Sequence, residues 1–391
     1  MERATRRQFI GTLTAGGAAA LLGPPPQRAR ASFDQAQDKQ PAARRIDIHQ
    51  HFVSPSFLAF LGAKNAISPV PGFAAWKDFS PARAVETLDR VGTQTAMLSI
   101  TAPGVWFGDG PEARKLAREM NEYAAAKMVA DYKGRFGLFA VLPLPDVQGS
   151  LQEIAYALDT LKADGVGILT SYGNAWLGDP QFAPVLEELN RRKAVVYTHP
   201  TDAQCCQGLI PRVNNQLLEY PTDTTRTIFS LVVSEAATKY SDIRFIFSHA
   251  GGTISSVAGR LLGPEMTAAN LTGQPKPNSR LYHLRRFYYD TAGSANPVNM
   301  NALKTLVPTT QILFGTDTPF FDGAPQVQGL QTSGFSSNEL RGIERLRPLH
   351  GRAARQKQDE KEAFDQSVTG SLPDIGASPR IARIAARCIT G

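Results

Sequence analysis

Two histidines one residue apart, His49 and His51, close the run Arg45-Ile-Asp-Ile-His49-Gln-His51-Phe. The run is short and β-branched and reads as a strand. Alternate strand side chains share a face, so both imidazoles project to the same side. Converging imidazoles make half of a metal site. Of the chain's six histidines, two more end apolar, β-rich runs: His199 in Tyr197-Thr-His199-Pro and His249 in Phe247-Ser-His249-Ala-Gly-Gly. Asp317 closes a further run, Phe314-Gly-Thr-Asp317-Thr-Pro, as the only carboxylate at that end. Imidazole and carboxylate ligands around an open water position suit Zn²⁺, with Mn²⁺ and Fe²⁺ as alternatives. His49, His51, His199 and Asp317 are therefore read as ligands of one divalent ion, and His249 as the acid/base beside it. A second ion in such a site needs a bridging lysine carbamate. The fourth run ends Ile168-Leu-Thr170-Ser171-Tyr172 without a lysine, so the site is expected to be mononuclear. His283 and His350 read as surface residues.

These side chains need a scaffold that brings several strand ends together. Apolar β-rich runs occur at 45–52, 94–100, 134–144, 165–172, 194–200, 244–251, 286–292 and 311–317. Helical patterns fill most intervals, at Pro81–Val91, Glu112–Tyr132, Leu151–Ala163, Pro180–Arg192, Thr224–Tyr240, Ile254–Leu262 and Pro297–Leu306. Eight buried strands alternating with helices predict an α/β fold with a parallel sheet. A span of about 270 residues fits a (β/α)8 TIM barrel, whose active site lies at the strand C-termini. An open doubly wound sheet is disfavoured, because no glycine-rich phosphate loop follows an early strand. Long connections at 53–80 and 201–223 follow strands and should shape the pocket. A third, at 263–285, should lie on the opposite face or outside.

Charge sits at the ends. The chain carries +7, of which residues 1–31 hold +4 and residues 346–391 hold +3. The body is near neutral, which excludes nucleic acid as a partner. Thr5-Arg6-Arg7-Gln-Phe9-Ile10 is a twin-arginine pattern, followed by a weakly apolar run and Ala29-Arg30-Ala31 as a cleavage site. Residues 1–31 are read as an export signal to the periplasm, 32–44 as a linker and 45–345 as the catalytic domain. No stable membrane span is expected. Residues 346–391 lack a sustained apolar period and read as an atypical, weakly structured tail. Cys205, Cys206 and Cys388 give no disulfide framework, and the adjacent pair reads as loop or pocket wall.

The H-x-H of the first strand, Thr198-His199-Pro200, His249-Ala-Gly-Gly-Thr, Gly259-Arg260 and Gly315-Thr-Asp317-Thr-Pro319 together resemble the amidohydrolase superfamily over residues 45–345. The likeness is to the branch of aminocarboxymuconate-semialdehyde, resorcylate and methylsalicylate decarboxylases. That resemblance implies the same four metal ligands and His249 as acid/base. It also implies a homodimer in which Arg260 reaches the neighbouring site to bind substrate carboxylate. Two departures separate this chain from the semialdehyde enzyme. Residues 53–80 contain no arginine, and Thr201-Asp202 stands where a tryptophan follows the His-Pro. Thr-His-Pro-Thr with paired cysteines is closer to salicylate-type decarboxylases.

The expected reaction is thus metal-dependent, non-oxidative decarboxylation of an aromatic or unsaturated carboxylic acid such as an ortho-hydroxybenzoate. Arg226, after Thr224-Thr225 at the start of a helix, is a candidate anion binder at the mouth. Phe52, Trp76, Trp106 and Phe320 are candidate aromatic walls. The rival expectation is a mononuclear hydrolase of a lactone or amide, in which the metal lowers the pKa of its water. A third is a barrel left inactive by the altered C-terminus, since the family's final helix with its Asn-Ala pair is not evident after Arg345.

Overall fold

The computed structural model describes residues 45–66 and 71–345. The expected export signal, linker and tail, with His350 and Cys388, lie outside the described residues. Eight strands form one parallel sheet in chain order: β1 (Arg45–His51), β2 (Thr93–Ser99), β3 (Phe136–Val141), β4 (Gly165–Leu169), β5 (Val195–His199), β6 (Arg244–Phe247), β7 (Tyr288–Asp290) and β8 (Ile312–Leu313). A parallel bridge between Gln50 and Thr318 brings the last strand's extension back to the first. Backbone bonds from Ile48 N to Phe314 O (2.9 Å) and from Asp317 N to His49 O (2.8 Å) join the same edges. The sheet is a nearly closed barrel of the TIM type, as the alternating pattern predicts.

Helices cover the outside: α1 (Pro81–Arg90), α2 (Gly110–Tyr123), α3 (Val147–Ala155), α4 (Ala183–Arg191), α5 (Asn215–Val233), α6 (Ile254–Leu262), α7 (Pro297–Leu306) and α8 (Ser337–Glu344). Several begin where a short polar residue precedes proline. Ser80 caps α1 by accepting from Arg83 N at 3.2 Å, and Asn296 caps α7 by accepting from Asn299 N at 3.0 Å. Each cap satisfies an otherwise orphaned amide and contributes about 1 kcal/mol. At the bottom of the barrel Arg45 pairs with Glu344 of α8 at 2.7 Å, tying the first strand to the last helix.

Inside the barrel, Ile48, Met97, Phe139, Tyr197, Ile246 and Leu313 form a plug beneath the strand C-termini. Outward-facing residues such as Val166, Val196, Phe245 and Tyr289 pack instead against the helices. Simple alternation cannot put both Ile48 and His49 inside. The β1–β2 register shifts between Asp47 and Gln50, a bulge that lets neighbouring residues share the interior. Gly165 keeps the interior of β4 free, since a Cβ there would lie 2.5 Å from the Val195 carbonyl.

Three expectations need correction. The helix expected at Thr224–Tyr240 begins at Asn215, capped by the Asn214 side chain (3.0 Å to Gln216 N), and ends at Val233. Pro221 sits within it, so the sequence breaker is tolerated by the fold. Strand four stops at Leu169, and Ser171–Tyr172 pairs with Ala175–Trp176 in a small hairpin. His283 is buried, on the helix Arg280–Arg286, with Nε2 2.9 Å from Thr238 Oγ1. It is not a surface residue. Among the described residues no helix is long and apolar enough to cross a membrane.

Candidate metal centre

At the C-terminal face, His49, His51, His199 and Asp317 bring one ligand atom each within 4.8 Å of one another, and all four are buried. Their second ring nitrogens explain why they point there. His49 Nδ1 lies 2.8 Å from Asp290 Oδ2, His51 Nδ1 3.1 Å from the Ser99 carbonyl, and His199 Nδ1 2.8 Å from the Pro200 carbonyl. An acceptor at each Nδ1 requires the proton there and leaves Nε2 with a lone pair. Nε2 of His49 and Nε2 of His51 then stand 2.9 Å apart, and 3.2 and 3.0 Å from Asp317 Oδ1. Asp317 Oδ1 is buried and makes no regular hydrogen bond. Lone pairs held so close repel unless a metal cation or a proton sits between them. Separations near 3 Å are the edges of a coordination shell whose ligand bonds are about 2.0–2.2 Å. The residues present fit a divalent ion.

Electrostatics point the same way. Burial opposes a proton on His49, but the Asp290 and Asp317 carboxylates outweigh it and push the imidazole up to about 10. Burial also opposes the charge on Asp317, yet His49 and its neighbours hold that carboxyl well below its usual range. Burial moves His51 down, and burial followed by the charges of His51 and His49 holds His199 well below ordinary histidine. The buried carboxylates of Asp290 and Asp317 thus favour positive charge at His49 between them.

His249 stands at the edge of this group. Its Nδ1 lies 2.9 Å from the Ala292 carbonyl and its Nε2 3.8 Å from Asp317 Oδ2. Asp317 thus turns one oxygen to His49 and His51 and the other to His249. Both residues hold left-handed backbone, with φ of 65° at Asp317 and 54° at His249. Non-glycine residues avoid this region, and such strain concentrates at functional sites. Above them opens a cavity of about 700 Å³, lined by Thr101, His199, Tyr220, His249, Asp317 and Phe320 among others. No lysine or arginine is among its described lining residues.

The amidohydrolase family profile matches residues 46–337. This chain belongs to the amidohydrolase family. Among its relatives is decarboxylase macB of Penicillium terrestre, 37% identical over 290 residues, which span 71% of this chain and 84% of the relative. 6-Methylsalicylic acid decarboxylase acuB of Aspergillus aculeatus is 36% identical over 281 residues, 70% of this chain and 84% of its own. The solved structure of 2,6-dihydroxybenzoate decarboxylase complexed with 2,6-dihydroxybenzoate superposes with a TM-score of 0.67 at 20% identity. It covers 78% of this chain and 98% of its own, and shows the shared fold.

The other residues singled out in the amidohydrolase sequence fall in several places. Phe320 walls the cavity, its ring 5.4 Å from that of His51, and Trp76 backs it at 5.4 Å from inside the core. Phe52 is plain core, and Trp106 lines a different cavity. Arg260 is exposed on α6. Arg226 is not at a helix start but midway along α5, where it pairs with Glu219 at 3.2 Å. Asp317 is not alone as a carboxylate at the strand ends. Asp290 closes β7 and accepts from His49, from Tyr197 OH (3.2 Å) and from His249 N (2.8 Å). Asp47 lies beneath, receiving His49 N at 3.0 Å and Thr316 N at 3.1 Å, its carboxyl raised to about 6 chiefly by burial. The signal for Asp290 was the acidic residue ending Tyr288-Tyr-Asp290.

Proposed function

We propose that this amidohydrolase is a metal-dependent, non-oxidative decarboxylase of ortho-hydroxybenzoates, with 6-methylsalicylate-like acids as its substrate class. The observation that carries the reading is the convergence of three Nε2 lone pairs and Asp317 beneath His249, at the floor of a cavity with an aromatic wall. Its relatives macB and acuB, at 37% and 36% identity, are both named decarboxylases. We take Zn²⁺ as the resident ion and Mn²⁺ as the alternative, held by His49, His51, His199 and Asp317. When bound, the ion supplies Lewis-acid stabilisation of negative charge on the substrate's oxygens.

The chain's own residues move the proton. Asp317 Oδ2 and His249 Nε2 face each other at 3.8 Å, a separation that closes to hydrogen-bond length with substrate bound for the proton to pass. Through this pair a proton reaches the ring carbon bearing the carboxylate. The bond to that carboxylate then breaks, CO2 leaves, and the electron pair returns to the ring. One proton is consumed for each CO2 released. The Ala292 carbonyl fixes the His249 ring so that Nε2, not Nδ1, carries the transferable proton. Phe320, and Trp76 behind it, keep that end of the cavity dry.

Chelation should abolish CO2 release from 2-hydroxy-6-methylbenzoate, and Zn²⁺ or Mn²⁺ should restore it. Elemental analysis of the protein as isolated identifies the resident metal. Undiminished CO2 release by His199→Ala would overturn the reading. We further propose twin-arginine export to the periplasm, supported by Arg6-Arg7, and a homodimer, supported by exposed Arg260 one turn beyond cavity-lining Ser256. Cell fractionation and sedimentation equilibrium test these two points.

A further inference from the structure

A second cavity, of about 570 Å³, opens beside the first. The two share Gln216 and Tyr220 of α5. They also interleave along the chain: Thr101 lines the site cavity, while Ile100 and Ala102 on either side of it line the second. Thr101 Oγ1 is 3.2 Å from His199 Nε2, and the Tyr220 ring is 6.3 Å from that of His199. Leu169, in register with His199, belongs to the second cavity as well. His199 and Tyr220 therefore form the partition between one space over β5–β8 and another over β2–β5.

The chemistry of the second space is distinct. Its apolar lining comes from Ile100, Ala102, Val105, Leu142, Leu144 and Leu169 with Trp106, beside polar residues such as Ser171, Tyr172 and Thr201. Its rim carries neutral amides, including Gln204, Gln207 and Asn214. Asp202 is its one carboxylate among the described residues, and that group accepts from Asn215 Nδ2 at 2.7 Å. Among its described lining residues there is no lysine or arginine for a further anion to meet. A cavity of 300–1,000 Å³ already holds a drug-sized ligand, so the site cavity alone accommodates a monocyclic hydroxybenzoate. The second is surplus to that requirement.

We propose that the second cavity is a substituent compartment, which takes an uncharged alkyl or acyl chain longer than methyl from the substrate's ring, with Tyr220 as the gate between ring and chain. The inference takes its ligand class from the decarboxylase reading above. Tyr220 and Ala102 then determine specificity, while the proton transfer and the metal ligands are common to short- and long-chain substrates.

The test is calorimetric titration of the metal-loaded protein with 3-methyl-, 3-propyl- and 3-pentylphenol, the products such acids would give. Each fully buried methylene strengthens binding by up to about fourfold. The pentyl compound should therefore bind at least about tenfold more tightly than the methyl compound. Ala102→Leu fills the apolar part of the lining, and Gln204→Trp, at an exposed position, obstructs the cavity without burdening the fold. Both should erase the chain-length gain while 3-methylphenol still binds within about threefold of its original affinity. A flat series in the unaltered protein, or a gain that survives both substitutions, overturns the compartment. CO2 release from 2-hydroxy-6-methylbenzoate in the same preparation is scored separately. Its absence defeats the decarboxylase reading, while the phenol series still decides the compartment.

Discussion

Replacing Asp290 by asparagine changes one atom of a residue that touches no substrate, yet it should weaken metal binding sharply. The carboxylate accepts four hydrogen bonds: His49 Nδ1 at 2.8 Å and Tyr197 OH at 3.2 Å on one oxygen, His249 N at 2.8 Å and Ala292 N at 3.0 Å on the other. Every partner is a donor. An amide has one acceptor end and one donor end, so either orientation puts NH2 against donors. If NH2 faces the two backbone amides, buried donors oppose one another at a cost of about 1–3 kcal/mol. If it faces His49, Nδ1 must become the acceptor, and the ring proton moves to Nε2, where the metal lone pair is required. Burial disfavours a large rearrangement, since Asp290 is fully enclosed. Partners of ligand histidines are commonly worth about 10–100-fold in metal affinity, and Asp290→Asn should fall in that range. Competition with a chromophoric chelator measures it directly, with circular dichroism as the control for folding. A folded Asp290→Asn protein whose affinity lies within twofold of the original would refute the assignment of the His49 tautomer.

Three further outcomes follow from the same geometry. Gly315→Ala would put a Cβ 2.9 Å from His49 Cβ and 3.2 Å from Asp290 Cβ, so a thermal melt should show a loss of about 1–3 kcal/mol together with weaker metal binding; an unchanged melting temperature contradicts the crowding. In metal-free protein, His49 titrates near 10, above the ordinary 6.5, so its stabilisation is full below about pH 6.5 and is lost as pH rises toward 10. His51 and His199 are shifted down, so their contribution is present above pH 6.5 and lost as pH falls. Melting of chelator-stripped protein should therefore peak near pH 6.5, and added Zn²⁺ should flatten the alkaline side by replacing the His49 proton; a steady rise through pH 9 without metal is the contrary result. His249→Gln should lower kcat by about 10²–10⁴ with metal content intact, and metal loss in that variant would make His249 a ligand instead.

What the sequence disclosed and what it hid have one physical origin. The candidate ligand residues ride at strand C-termini, where an apolar β run stops abruptly at a histidine or aspartate, and that break is visible in one dimension. His49, His51, His199 and Asp317 were legible for this reason, and so was the eight-fold alternation behind them. Asp290 was equally placed at the end of β7 but was passed over, because its importance lies in accepting a proton bond from His49, 241 residues away. The bulge at Asp47–Gln50 leaves no composition signal, although it is what sets His49 inside beside Ile48. Pro221 concealed the first turns of α5, and with them the true position of Arg226. The second cavity was the least legible feature. Ile100, Val105, Leu142 and Leu169 have the same residue types as the core, and only the space left between them among the described residues turns packing residues into a wall. Chemistry at strand ends can be read from residue type, whereas a space between side chains is a property of the fold, which type alone does not encode.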